Sequence, residues 1–425
     1  MAADYMPRIL LAGGGHTHLA ALEALSDCVR GRAQLMLLSE SSQLLYSGMM
    51  PGWLAGQHEL DACAIDLQSL ARRSGVQWAT DTLIDIDFQA RQAIGAQGER
   101  YGWDLLSLNL GSAVAVGALQ APRATVLAIK PFGHFVPGWQ AWLDRAPASP
   151  QCVVIGGGAA AFEVACALKA RCASRSGPMR GGAVRVVCSA SQMLAQQGAF
   201  NGWLAARALR ARGIALEFGW RYVGVRGQEV VCVPATSPLS PGSLASENRA
   251  GHRPSVHPAD PSTAAESPQR RFPADLVIVA TGARAPAWLS VAARRDGLSV
   301  APDGGIAVDA GLQSVNVPYV YASGDCADFG SLQVPKSGVH ALRQAPALVD
   351  ALTAGLESLN GLALEAPTRP YRPQRRALAL LDCCDGTALG TWGVFGAGGS
   401  AFSRWKSHID RQFIEAMRHG GQAAR

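Results

Sequence analysis

Charge is thin along this chain. Of 425 residues, 16% are Asp, Glu, Lys or Arg, 7% are aromatic, and the net surplus is +6. No Lys/Arg block is dense enough to follow a phosphate backbone, which argues against nucleic acid as a partner. The ten cysteines are scattered without a CxxC pair. That spacing excludes a disulfide-stapled secreted framework and a paired-cysteine metal site, and no metal is expected. No stretch of about 18 residues stays apolar without a charge, so no membrane span is expected. Residues 1–7 lack the charged start and apolar core of a cleaved signal. The expected location is the cytoplasm, or the inner face of a membrane as a peripheral protein.

What the chain has is glycine and apolar bulk, with 47 glycines and 48% hydrophobic residues. Its length exceeds one ordinary core, so two or three domains are expected. Strand-like apolar runs alternate with helix-like segments, the pattern of an α/β fold built on largely parallel sheets. Residues 9–12 run into Gly13-Gly14-Gly15, a helix is expected over 18–25, and a strand over 34–38 closes a βαβ unit of about 30 residues. The arrangement returns later. Residues 153–155 run into Gly156-Gly157-Gly158, followed by a helix through Leu168 and a strand over 184–187. A duplicated module carries more weight than either copy. Segment 234–271 is rich in Pro, Ser, Ala and Gly and nearly free of aromatic and β-branched residues. Such a segment cannot bury enough surface to offset its ordering entropy. It is expected to be a flexible insert between strands at 229–233 and 272–280.

The glycines have a chemical reason. The first of each cluster turns the chain after its strand, and the next lets backbone N–H groups approach a pyrophosphate at the positive end of the following helix. Gly13 and Gly15 serve in the first copy, with His18 where a third glycine is usual. Gly156 and Gly158 serve in the second, with the small Ala161 at that place. Residues 275–282 read as a buried strand ending in Ala280-Thr281-Gly282. Residues 320–325 read as another, ending in Ser323-Gly324-Asp325. An aspartate at the end of such a strand accepts hydrogen bonds from ribityl or ribose hydroxyls; a helix N-cap is the alternative.

Gly13-x-Gly15, Gly156-x-Gly158 with Glu163, Ala280-Thr281-Gly282 and Ser323-Gly324-Asp325 occur in this order in the pyridine nucleotide-disulfide oxidoreductase superfamily, which the chain resembles. Within it the chain looks most like the type II NADH dehydrogenase-like branch. Tyr46-Ser47-Gly48-Met49-Met50-Pro51-Gly52 and Pro335-Lys336-Ser337-Gly338-Val339-His340-Ala341 resemble FAD-dependent proteins found alone or fused ahead of selenide, water dikinase. The resemblance implies two nested Rossmann-like dinucleotide-binding domains, one for FAD and one for NADH or NADPH, with a C-terminal segment. The expected division is 1–115 and 289–365 for FAD, 116–288 for the nicotinamide nucleotide, and 366–425 as the C-terminal segment.

The resemblance further implies an oxidoreductase taking hydride from NAD(P)H and passing electrons to a small-molecule acceptor, a quinone first. The alternatives are a reductase for a small redox protein or a selenium or sulfur compound, and a non-catalytic nucleotide sensor. Cofactor contacts are expected from Gly13, Gly14, Gly15, His16, His18, Glu40, Gly111, Gly282, Gly324 and Asp325, with Gly13, Gly15 and Asp325 holding FAD and His16 and His18 meeting either cofactor or polar backbone. The loop bearing Tyr46, Ser47, Gly48 and Pro51 is placed near the isoalloxazine. Gly156, Gly158, Ala161 and Glu163 fall to the nicotinamide site. Glu163, Lys336 and His340 are the catalytic candidates, and the segment from Pro335 starts a helix aimed at the flavin, whose dipole favours its anionic reduced form.

The chain departs from the superfamily in places. The redox-active CxxxxC is absent, with Cys63 standing alone, so electrons are expected to leave the flavin directly. Ser39 stands at the ribose-binding position of the first copy with Glu40 one residue late, and Cys188 and Ser189 stand there in the second. NADH and NADPH therefore both stay open. Cys383-Cys384 falls in an expected buried strand over 377–384, where adjacent side chains point to opposite faces. The tail 402–417 spaces Phe402, Trp405, Ile409, Phe413 and Met417 helically, with Arg404, Lys406, His408 and Arg411 on other faces. Contact with a membrane, with its own domain or with a homodimer partner all remain open.

Overall fold

The computed structural model describes residues 5–174, 177–237, 268–332, 334–361, 369–374 and 376–419. Ten strands build two parallel five-stranded sheets. In chain order they are β1 (Arg8–Ala12), β2 (Gln34–Ser39), β3 (Gln77–Thr80), β4 (Leu105–Leu108), β5 (Thr125–Ala128), β6 (Gln151–Ile155), β7 (Ala183–Cys188), β8 (Ala215–Phe218), β9 (Leu276–Val279) and β10 (Val320–Ala322). The first sheet runs β10-β4-β1-β2-β3 and the second β5-β9-β6-β7-β8. The chain thus leaves the first sheet after β4, builds the second, and returns beside β4 as β10. Both sheets are α/β layers: β1, β4, β6 and β9 are buried along almost their whole length, as strands covered on both faces must be.

Helix α1 (His16–Val29) follows β1, and α2 (Ala159–Cys172) follows β6. Helix α1 begins earlier than expected from its apolar run, with Gly15 already its N-cap, and α2, starting after Gly158 as expected, runs past Leu168 to Cys172. Neither glycine N-cap has a side chain to offer; in α1 Asn109 takes the Thr17 N–H, and the other first-turn N–H groups are left for something else. Helix α3 (Ala199–Ala211) packs on the second sheet, and α4 (Gly338–Leu359) lies along α1 in the first.

The apolar run at 272–280 is not one strand. Phe272 belongs to Arg270–Pro273, paired antiparallel with Glu229–Pro234, while β9 belongs to the parallel sheet. Asp275 separates them, its carboxylate accepting from the Gln151 N–H at 2.8 Å. The expected flexibility of 234–271 falls mostly on 238–267, outside the described residues.

The C-terminal segment forms a three-stranded antiparallel sheet, β11 (Leu378–Asp382), β12 (Ala388–Trp392) and β13 (Phe395–Gly399), followed by α5 (Ser400–His419). Cys383 and Cys384 lie past the end of β11 rather than within it. The turn is closed by Cys383 N–H on the Thr387 carbonyl at 3.1 Å and Cys384 N–H on the Asp382 carboxylate at 2.7 Å, and Cys384 takes a left-handed φ of 55°. Helix α5 buries Phe413, Ile414 and Met417 against the first-sheet domain and leaves Trp405 and Ile409 exposed.

His18 resolves the missing third glycine. Fully buried, it sits on the Gly13 carbonyl through Nδ1 (2.7 Å) and on Ser107 Oγ through Nε2 (2.8 Å), tying the glycine turn to β4. Burial lowers its pKa to about 4, the Gly13 bond opposing weakly. The folded state therefore favours neutral imidazole, while the unfolded chain binds a proton below about 6.5. Stability is expected to fall between pH 6.5 and about 4, by on the order of 3 kcal/mol. Denaturant midpoints across that range should drop in the parent protein, and a His18→Gln variant, less stable at pH 7, should show a shallower decline.

Candidate functional site

The first glycine turn is shaped by contact with Asn109. A Cβ on Gly13, whose φ is +98°, would lie 2.5 Å from the Asn109 carbonyl oxygen, and one on Gly15 would lie 2.0 Å from Asn109 Oδ1. A Cβ on Gly14 would meet Leu67 and Ser39. Asn109 Oδ1 accepts from the Thr17 N–H (3.1 Å) and its Nδ2 donates to the Ser323 carbonyl (2.8 Å). One side chain after β4 thus joins the ends of β1 and β10, where α/β sheets take their ligands. Gly324 is part of the same convergence: it has φ +64°, and a Cβ there would lie 2.5 Å from Asn109 Nδ2. Asn109 was not anticipated from sequence, although a lone amide straight after a buried strand is a readable signal.

Asp325, buried after β10, accepts from Lys130 Nζ and from Ser112 Oγ, each at 2.6 Å. Burial works against its charge, but the Lys130 ammonium and these bonds outweigh it and hold the carboxyl below its ordinary value. Lys130 follows β5 of the other sheet, and no local pattern marks it. Gly111, with φ +70°, turns the chain just before Ser112. Lys336 donates to the Asp325 carbonyl (2.8 Å) and pairs with Asp303 (2.6 Å), closing over the same residue.

Two polar atoms at this turn are buried without a partner, His16 Nε2 and Ser323 Oγ. His16 begins α1, its ring centroid 6.2 Å from that of Tyr46, and burial lowers its pKa to about 4. Orphaned polar atoms beside an uncapped helix and a glycine cradle fit a bound dinucleotide. His340 is buried on α4 with Nδ1 on the Tyr371 hydroxyl at 2.9 Å, and it lines a small cavity with Gly324, Lys336 and Ser337. Glu40 is exposed just past β2.

The second turn has the same logic. Gly156 has φ +140°, and a Cβ there would lie 2.4 Å from the Ala280 carbonyl oxygen, while Ala161 is fully buried beside it. Gly158 and Gly282 face open space. Cys188 is buried against Gly157 and Ser189 is exposed, so no carboxylate ends β7.

The two halves meet at a polar cluster that α5 completes. Glu163, on the first turns of α2, accepts from the Asp382 N–H at 2.9 Å. Lys406, expected on a solvated basic face, is instead 7% exposed, donating to the Gly48 carbonyl and to Asp410 (2.7 Å). An ammonium that deep has to be paired, and the i, i+4 spacing to Asp410 on one helix face supplies the pair. Tyr46 donates to Asp410 at 3.0 Å and packs on Phe413 with centroids 4.6 Å apart. Ser47 and Pro51 lie on the same loop, Pro51 buried in the short helix Met50–Leu54. Burial raises the Glu163 pKa to about 7, with the Lys406 charge and the Asp382 amide opposing. Burial alone would lower Lys406, yet Glu163 and Asp410 outweigh it and raise its pKa. Cys63 is buried by this loop, and burial pushes its thiol up to about 11.

Among the described residues no cluster of His, Cys, Asp and Glu could hold a metal, and no helix is long and apolar enough to cross a membrane.

Solved structures share this architecture. The sulfide:quinone oxidoreductase of Aquifex aeolicus superposes with a TM-score of 0.74 at 14% identity, covering 98% of this chain and 93% of its own. NDH2 of Plasmodium falciparum in complex with NADH gives 0.68 at 11% identity, covering 99% and 100%. An NAD-dependent persulfide reductase from A. fulgidus gives 0.66 at 19% identity, covering 94% and 66%. No curated protein matches the chain. The family model described as pyridine nucleotide-disulphide oxidoreductase matches residues 7–345, and with both glycine turns and both parallel sheets inside that span, the chain belongs to that family of oxidoreductases.

Proposed function

We propose that this protein is an FAD-dependent oxidoreductase that takes a hydride from NADH or NADPH and passes electrons directly to a quinone. The observation that carries the reading is that Glu163 of the second glycine module, held by the Asp382 N–H, lies within the electrostatic reach of Lys406 and Asp410, which are bonded to the Tyr46–Gly48 loop of the first. When bound, flavin supplies the hydride and electron chemistry; the protein orients, shields and charges the site. The glycine turn and Asn109 would seat the pyrophosphate at the start of α1, and Asp325 would face the ribityl hydroxyls. Lys130 and Lys336 add positive charge beside Asp325. Glu163, with a pKa near neutrality, would exchange a proton at its carboxylate in the nicotinamide half of the site. The quinone assignment is supported by the fold shared with a sulfide:quinone oxidoreductase and by the absence of the family's disulfide pair from the Tyr46–Pro51 loop.

The reading predicts a yellow protein whose flavin band bleaches on anaerobic titration with one nicotinamide nucleotide, followed by rapid re-oxidation by a soluble quinone. A colourless protein that FAD cannot reconstitute would overturn the flavoprotein assignment. Re-oxidation by a disulfide, selenium compound or small redox protein, but not by quinone, would replace the acceptor. The Glu163→Gln variant should keep its flavin and lose at least tenfold in the rate of bleaching, with the pH dependence near 7 flattened; stopped-flow absorbance reads both.

Peripheral membrane contact extends the proposal. Trp392, Val394 and Phe395 at the β12–β13 turn, Trp405 and Ile409 on α5, and Phe200 and Trp203 on α3 are exposed. Asn201 ties the hairpin to α3 by donating to the Gly393 carbonyl at 2.8 Å. Arg376 lies over Trp392 and Arg207 over Trp203. Exposed aromatics edged by arginine suit an anionic interface. The protein should co-sediment with anionic phospholipid vesicles, and a Trp392→Glu/Phe395→Glu variant should bind at least fivefold less; equal binding by both would remove the membrane from the proposal.

A further inference from the structure

The far end of the first sheet holds a cavity that the nucleotide turns do not explain. Its volume is about 390 Å³, room enough for a small organic molecule. The glycine cradle sits at the C-terminal ends of the strands, whereas this cavity sits where β2 begins, with Leu35 in its wall. Two helices that start at the cradle finish at the cavity. Helix α1 runs from its Gly15 N-cap to Arg30, its C-cap. The short helix Leu67–Arg73 starts at the residue that a Cβ on Gly14 would meet, and it ends in Arg72, Arg73 and Ser74. The 14 residues of α1 hold the two sites about 20 Å apart.

Arg30, Arg72 and Arg73 line this cavity, and no carboxylate is among the described residues that do. Arginine near a helix C-terminus offsets the dipole. That role needs no cavity, and it does not gather like charges from two helices around one. The partners these arginines have are weak or few. Arg30 pairs with Asp27 at 2.6 Å, but both side chains are 72% exposed, where such a pair contributes little. Arg73 gives Nη2 to the Met417 carbonyl at 3.1 Å. Arg72 acts on Asp66 by its charge and has no hydrogen bond or ion pair among the described residues. The same wall holds two hydroxyls. Ser26 Oγ donates to the Ser74 carbonyl at 2.6 Å, while Ser74 Oγ is buried without a partner. A buried hydroxyl in that state costs free energy until something bonds to it.

We propose that this cavity binds a phosphorylated small molecule, its phosphate against Arg30 and Arg72 and its organic part along Leu35. A guanidinium presents N–H donors in a fork that matches two phosphate oxygens at once. A phosphate monoester carries close to two negative charges at pH 7, so it offsets the repulsion between two arginines, whereas a carboxylate offsets half as much. The cavity is larger than a phosphate group alone, and the apolar wall at Leu35 gives the remainder of the ligand a surface to cover. Neither glycine turn lines the cavity, so the site stands independently of the proposed function.

The test is calorimetric titration of phenyl phosphate into the purified full-length protein, with FAD in excess to fill the cradle and salt at about 0.15 M to screen non-specific attraction. Saturable binding is expected, at least about tenfold weaker in an Arg30→Ala/Arg72→Ala variant, with phenol not binding. No saturable binding, or equal binding by the variant, overturns the site. Vesicles containing phosphatidic acid offer the same phosphate on a lipid. Arginine-dependent binding to them without binding of phenyl phosphate would overturn the small-molecule ligand in favour of a headgroup. A second measurement needs no variant: phenylglyoxal labelling of the parent protein, read by peptide mapping. With phenyl phosphate well above its dissociation constant, Arg30 and Arg72 should label at least about threefold more slowly, while Arg123, exposed in the second half of the molecule, labels as before. Protection of all three alike, or of none, counts against the site.

Discussion

Backbone crowding around Asn109 is the constraint on which the first half of the molecule depends. The start of α1 and the ends of β4 and β10 have to converge closely enough for one amide side chain after β4 to bond both of the others. Such convergence leaves no room for a Cβ at Gly13 or Gly15, and it holds the first turn of α1 open at the sheet edge. His18 belongs to the same arrangement, because its imidazole fills the space below the turn that a third glycine would leave for helix–strand contact. The result is a rigid cradle of backbone N–H groups with few side chains in the way, which suits a pyrophosphate better than a cradle of lysines on flexible stems would.

A second constraint comes from the far end of the chain. Helix α5 inserts a buried ammonium, Lys406, between the loop at Gly48 and the carboxylate of Asp410, near enough for its charge to act on Glu163. An ion pair at that depth is weak evidence for stability, since desolvation offsets much of the attraction. Its position gives it another meaning. It neutralises part of the negative charge around Glu163, and it makes the C-terminal segment a wall of the site rather than an appendage. The hairpin that carries Asp382 is held in the same place, so the Glu163 contact and the exposed aromatic turn share one small sheet.

Much of the fold was legible from sequence because it rests on local rules. Continuous apolar runs ending in glycine clusters define β1 and β6 and the helices after them, and their repetition defines two modules. The boundary errors also have local causes. Helix α1 begins earlier than its apolar run because Gly15 serves as the N-cap, and the run at 272–280 splits because Asp275 spends its carboxylate on the neighbouring strand. At the site, glycines and Asp325 could be named from their places at strand ends. Asn109, Lys130 and Lys406 could not be assigned, since each acts on a group that is remote in the chain.

The sequence by itself determined the two nucleotide-type turns, because a glycine cluster between a buried strand and a helix has few other conformations open to it. Tertiary structure alone decided what surrounds them. It turned Lys406 inward and His340 toward Tyr371. The reason is physical: backbone conformation is governed by the nearest few residues, whereas burial and partner choice for a long polar side chain are governed by whichever distant segment packs over it.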